Sequence, residues 1–234
     1  MRTNTVKQLL MAVKIQVTGD GESKDCYTSG IDAIKAAGGL GVPTIKPWGV
    51  KDIIDKIKIA EDAGAVAVAM DIDAAGLPVL AKDKEIGPKS VDDLHQIVKS
   101  TKLSFIVKGI MTAASAEKAL EAGVYGIIVS NHGGRVLDHT PSTVEVLPEI
   151  VKCVGGKIKI LIDGGIRTGI DVFKAMALGA DAVLIGRPYA IAAYGGGDKG
   201  VAMYTEKVGT ELIQTMIMTG RQSLNDIDSS ALWK

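Results

Sequence analysis

Seven short apolar runs recur along the chain, at residues 13–17, 44–46, 65–71, 104–108, 126–130, 158–163 and 182–186. Most are followed by glycine or polar punctuation and then by a helical pattern. This alternation constrains the fold more than any other feature. Strands that read as near-continuous apolar segments are buried on both faces. Strand, helix and strand repeated in this way predict a parallel sheet with its helices outside. Helical periodicity is clearest over 51–63, 91–99, 114–121 and 171–177, with a short helix over 1–11 and a final one over 199–219 capped by Gly220.

A loose internal echo predicts how the sheet is arranged. Ala60-Glu61-Asp62-Ala63-Gly64-Ala65-Val66 returns as Ala119-Leu120-Glu121-Ala122-Gly123-Val124-Tyr125 and again as Ala175-Met176-Ala177-Leu178-Gly179-Ala180-Asp181. Each time a helix ends on a glycine suited to a left-handed cap, and a strand starts at once. Nearly even recurrence favours a TIM (β/α)8-type barrel over an open doubly wound sheet. The expected organisation is one α/β barrel domain over residues 1–234, since no linker composition divides the chain. Seven strands are found where closure needs eight, so the expectation is an incomplete barrel whose open edges residues 1–12 or another chain cover.

Composition narrows the partners. Lysine plus arginine and aspartate plus glutamate number 27 each, so no net field points to nucleic acid or an anionic membrane. Only 4% of residues are aromatic, which leaves few platforms for stacking bases. Cys26 and Cys153 lack metal-ligand spacing and read as reduced thiols of a cytoplasmic protein, with no metal expected. No apolar run reaches membrane-spanning length, and the N-terminus lacks a signal-peptide pattern.

In a barrel, residues just after each strand gather on one face, where sites form. The run Gly126-Ile127-Ile128-Val129-Ser130-Asn131-His132-Gly133-Gly134-Arg135 ends one strand with a tunable base and a planar cation. Lys108-Gly109 ends another with an ammonium. Asp163-Gly164-Gly165-Ile166-Arg167 and Gly186-Arg187-Pro188 combine glycines with arginine, the chemistry of a phosphate site. Asp71 ends the 65–71 run and Asp73 lies just beyond it, and either carboxylate is a candidate to face the site, Asp73 as a partner for an imidazolium. His95 reads as an ordinary helix residue and His139 as a loop residue.

At these motifs the sequence resembles the FMN-dependent α-hydroxy-acid dehydrogenase and oxidase family, which includes glycolate and lactate oxidases. The matching segments are Ile106-Val107-Lys108-Gly109-Ile110, Val129 to Arg135, Ile162-Asp163-Gly164-Gly165-Ile166-Arg167-Thr168-Gly169 and Ile185-Gly186-Arg187-Pro188. The resemblance implies a TIM barrel holding FMN at its mouth and oxidising a small 2-hydroxy acid to the 2-oxo acid. By it, His132 takes the hydroxyl proton while the α-hydrogen leaves for flavin N5. Asp73 partners His132, and Arg135 holds the substrate carboxylate. Lys108 sits at the flavin N1/O2 edge, and Ser130 also contacts the flavin. Asp163, Gly164, Gly165, Arg167, Gly186 and Arg187 bind the ribityl chain and phosphate. A homo-oligomer, a tetramer by analogy, is also implied.

Three positions depart from the family pattern. Thr44 and Lys46 stand where a glutamine and a tyrosine are usual, and Asp71 where a flavin-contacting threonine is usual. The segment Ala74-Ala75-Gly76-Leu77-Pro78 lacks a second substrate arginine. The competing expectation is therefore a non-catalytic FMN- or phosphate-binding barrel. A flavin-dependent isomerase is a further alternative, as is a nucleotide dehydrogenase, although neither Cys26 nor Cys153 is placed to serve the latter.

Overall fold

The computed structural model describes residues 16–19, 24–36, 38, 40–77, 80 and 86–233. Among them, seven strands form one all-parallel sheet in sequence order, β1 to β7. They are β1 (Gln16–Gly19), β2 (Gly41–Ile45), β3 (Ala67–Asp71), β4 (Ser104–Ile110), β5 (Gly126–Val129), β6 (Lys159–Ile162) and β7 (Ala182–Val183). Sequential order with every neighbour parallel is barrel topology. Among the described residues β1 and β7 remain unpaired edges, consistent with an incomplete barrel. The predicted helix over 1–11, and the cover proposed for the gap, lie outside the described residues.

The helices are α1 (Lys24–Ala36), α2 (Val50–Asp62), α3 (Val91–Lys99), α4 (Ala113–Glu121), α5 (Thr143–Val154), α6 (Gly169–Ala177) and α7 (Arg187–Met218). The echo glycines do cap helices, with Gly64, Gly123 and Gly179 at positive φ. Two helices escape the periodicity. In α1, Tyr27, Ile31 and Ile34 are buried one turn apart, but Ser29 and Gly30 dilute the pattern. Within α5, Pro148 reads as a breaker, yet the helix runs on from a Ser142–Glu145 capping box. The last helix also begins earlier than predicted, at Arg187, and bends at Gly197, whose φ of 53° and ψ of −143° are not helical. Glycines 195 to 197 hide that first segment from a periodicity reading.

Alternation along the strands sorts the core. Val68, Met70, Phe105, Val107, Ile127, Val129, Ile160 and Ile162 point outward into the main cluster beneath the helices. The residues between them face inward: Val42, Ala67, Ala69, Ile106 and Ile128 form a second apolar cluster inside the sheet, with Leu161 and Leu184 against it. One further step along the same inner face reaches Lys46, Asp71, Lys108, Ser130 and Asp163. The barrel interior thus changes from aliphatic to charged at its C-terminal end.

Candidate active site

Strand register brings the charged layer together. Asp71 and Lys108 are register partners across β3 and β4. Their ion pair spans 2.9 Å at Oδ1, with an angle outside hydrogen-bond geometry. Lys46 lies one residue beyond the Ile45–Met70 pairing of β2 and β3, so its ammonium reaches the other oxygen, Asp71 Oδ2, at 2.7 Å. Asp163 Oδ2 stands 3.9 Å from Lys108 Nζ. Burial alone would raise the Asp71 carboxyl, but the Lys108 and Lys46 ammoniums outweigh it and hold it below the usual range. Burial works to lower Lys108, yet Asp71, Asp163 and Asp73 together hold it above an ordinary ammonium. Asp163 goes the other way: burial pushes it up, and Lys108 and Ser130 only partly offset this.

Of the two aspartates left open by spacing, Asp73 is the histidine's partner. Its carboxylate lies 3.0 and 3.2 Å from His132 Nδ1. Asp73 sits in the single-turn segment Ile72–Gly76 that follows β3, and His132 in the corresponding turn His132–Gly134 after β5. An ionised carboxylate only accepts, so Nδ1 carries the proton and donates to it. The Lys108 ammonium, 3.5 Å from the same Nδ1, is therefore a neighbouring charge and not a hydrogen-bond donor to it. His132 is 7% exposed and adopts a left-handed φ of 57°, a conformation that surrounding contacts must impose. Ser130 Oγ helps by accepting from the His132 backbone N–H at 3.1 Å.

Gly109 makes this geometry possible. It forms the bulge between Lys108 and Ile110 at a φ of +106°, and an added Cβ would lie 2.5 Å from Asp73 Cβ and Cγ. Arg135 is exposed at the same loop and tethers itself through Nε to the His132 carbonyl at 3.1 Å. The Arg187 guanidinium also reaches this turn, 3.3 Å from where a Gly133 Cβ would sit.

The glycine-rich turns complete the face. Gly164 and Gly165 follow β6 at φ of 90° and 79°, and Gly186 precedes α7 with no side chain capping the first turn. The turns after β6 and before α7, with Arg187 and the exposed Arg167, offer a candidate cradle for a phosphate, and the first N–H groups of α7 have no side-chain cap. Thr143, not singled out in the sequence, anchors this cradle by donating to the Asp163 carbonyl at 2.6 Å. Two inner-face atoms, Thr44 Oγ1 and Asp163 Oδ1, are buried without a hydrogen-bond partner among the described residues. Buried polar atoms of this kind call for a ligand to satisfy them. Together with the cradle and the Lys108 ammonium, they suit a polar ring system carrying a phosphate.

A divalent metal suits the face less well. Asp71, Asp73 and His132 offer ligand atoms within 4.8 Å of one another. But two ammoniums already neutralise Asp71, and the His132 nitrogen facing Asp73 is protonated. His95 on α3 and exposed His139 lie outside the cluster, as the sequence suggests. The clefts bounded by Thr28, Ile31 and Ile59, and by Glu61, Lys99 and Leu103, involve none of these residues.

Comparisons with known proteins agree with the chemistry. The sequence profile described as FMN-dependent dehydrogenase matches residues 80–234, more than half of the chain. A 2-hydroxyacid oxidase of Dictyostelium discoideum is 49% identical over 142 residues, covering 61% of this chain and 37% of that protein. An L-lactate oxidase of Lactobacillus jensenii is 43% identical over 144 residues, covering 62% of this chain and 35% of its own length. A crystal structure of mandelate oxidase superposes with a TM-score of 0.79 at 31% identity, covering 93% of this chain and 70% of the other. The chain thus spans little more than a third of the length of these two sequence relatives.

Proposed function

This chain belongs to the FMN-dependent dehydrogenase family, and on that premise we propose that it binds FMN at the strand-end face and oxidises a small 2-hydroxy acid to the 2-oxo acid. The observation that carries the reading is the meeting of His132, its Asp73 partner and Lys108 beside a glycine-arginine cradle. Bound FMN supplies the electron-accepting ring that no side chain can provide. The protein's own groups do the rest. With Nδ1 donating to Asp73, His132 Nε2 is the atom that takes the substrate hydroxyl proton, and Asp73 stabilises the imidazolium that results. Arg135, held by its Nε on the His132 carbonyl, keeps its remaining N–H groups for the substrate carboxylate. Lys108, kept protonated by its carboxylate neighbours, holds a positive charge beside the ring. Ser130 and Asp163 line the same inner face; Gly164, Gly165, Arg167, Gly186 and Arg187 hold the phosphate end.

The relatives named as 2-hydroxyacid and L-lactate oxidases support the substrate class. A second reading, an FMN-binding barrel without turnover, is favoured by the turn after β3, where Ala74-Ala75-Gly76-Leu77 carries no second cation. One experiment separates them: purified protein is mixed with FMN, freed of excess, and titrated anaerobically with lactate and glycolate. Bleaching of the flavin band supports oxidation. Retained but unbleached flavin supports the second reading, and failure to retain FMN refutes both.

The same proposal takes the protein as a cytoplasmic homo-oligomer that binds neither nucleic acid nor membrane. Balanced charge supports the absence of a nucleic-acid or anionic-membrane partner. Among the described residues, no helix is long and apolar enough to cross a membrane. Light scattering of the purified chain checks the assembly.

A further inference from the structure

Two of the residues that depart from the family pattern touch each other. We propose that Lys46 and Asp71 form a coupled charge pair that positions Lys108 and sets the electrostatic potential of the face where FMN is held. The inference deepens the proposed function and rests on it.

The geometry is that of one carboxylate shared by two ammoniums. Asp71 Oδ2 lies 2.7 Å from Lys46 Nζ, and Oδ1 lies 2.9 Å from Lys108 Nζ. The side chains are only 13%, 8% and 13% exposed for Lys46, Asp71 and Lys108, so water screens them little. Neither member of the pair works alone. Asp71 without Lys46 would spend its whole charge on Lys108 and cancel the positive field beside the ring. Lys46 without Asp71 would leave two ammoniums, from β2 and β4, facing each other across the end of β3. Among the described residues, the other carboxylates near Lys108 are farther away or engaged elsewhere: Asp163 is 3.9 Å from Lys108, and Asp73 is paired with His132. Where the resemblance leads one to expect an uncharged tyrosine and threonine, this chain carries two opposite charges in contact. Their charges compensate, and Lys108 gains a fixed anchor.

The test uses Lys46→Met, Asp71→Asn and the double variant. If Asp71→Asn does not fold, Asp71→Thr takes its place. In FMN-loaded protein, an added negative field disfavours electron uptake and an added positive field favours it. Lys46→Met is therefore expected to lower the midpoint potential of bound FMN, Asp71→Asn to raise it, and the double variant to return near the parent. A merely structural pair would not give shifts of opposite sign. Shifts of the same sign, or none, overturn the proposal. Unfolding of the cofactor-free chain supplies a second readout. The double variant's folding constant should exceed that expected from the singles by about tenfold, the size of a direct contact pair. If the parent retains no FMN, the functional reading fails by itself, and this cycle still decides the pair: additive effects overturn it, and coupling supports it.

Discussion

Replacing Gly109 by alanine tests whether the bulge of β4 builds the His132–Asp73 pair. At a φ of +106° a side chain is strained by about 1–3 kcal/mol. The new Cβ would also sit 2.5 Å from Asp73 Cβ and Cγ, against an ordinary carbon contact of about 3.5–4.0 Å. Asp73 must therefore retreat by on the order of 1 Å. Its carboxylate, now 3.0 and 3.2 Å from Nδ1, then leaves hydrogen-bonding range, forfeiting a charged hydrogen bond of about 1.5–3 kcal/mol. The two effects overlap, so the expected loss is about 3 kcal/mol. Urea unfolding followed by circular dichroism, extrapolated linearly, measures it. The same displacement should slow flavin reduction by about 100-fold, because His132 loses the carboxylate that holds its ring in position. Gly195→Ala is the control: it is helical, unstrained and meets nothing within 4 Å, and should stabilise by about 0.5–1 kcal/mol. A Gly109→Ala protein as stable and as fast as the parent would refute the argument.

Three further outcomes follow from the same geometry. His132→Ala should abolish flavin reduction by the hydroxy acid while FMN stays bound; loss of FMN from that variant would make the imidazole structural instead. Asp163→Asn should raise the thermal stability of the cofactor-free chain at neutral pH, because burial pushes that carboxyl up and ionising it costs folding energy above its raised pKa. A lower melting temperature would contradict this. Asp71 has the opposite sign. Its depressed folded value stabilises the protein above the unfolded value of about 3.9, and that contribution fades as pH falls through the lower, folded value. An acid-unfolding curve for Asp71→Asn should therefore lack part of the parent's loss of stability below about pH 4, and identical curves would exclude the effect.

Much of this protein is legible in its sequence because the deciding interactions are local. Apolar runs overlapped all seven strands, although the run at 44–46 shares only Thr44 and Ile45 with β2 and, among the described residues, the run at 13–17 meets β1 only at Gln16 and Val17. Glycines 64, 123 and 179 marked helix ends, since burial and left-handed caps depend on residues close in the chain. Barrel topology then carries strand-end residues to one face without knowledge of any contact, which is why His132, Arg135, Lys108 and Asp163 could be named together. What the tertiary structure alone decided is which side chain meets which. Asp71 and Asp73 are equivalent by spacing; the β3–β4 register gives Asp71 to Lys108, and the turn beyond β3 swings Asp73 onto His132. Lys46 joins Asp71, and Thr143 reaches the Asp163 carbonyl, across separations of 25 and 20 residues. Periodicity reports which face a side chain occupies, whereas its partner is set by the register of neighbouring strands, and that exists only once the sheet has formed.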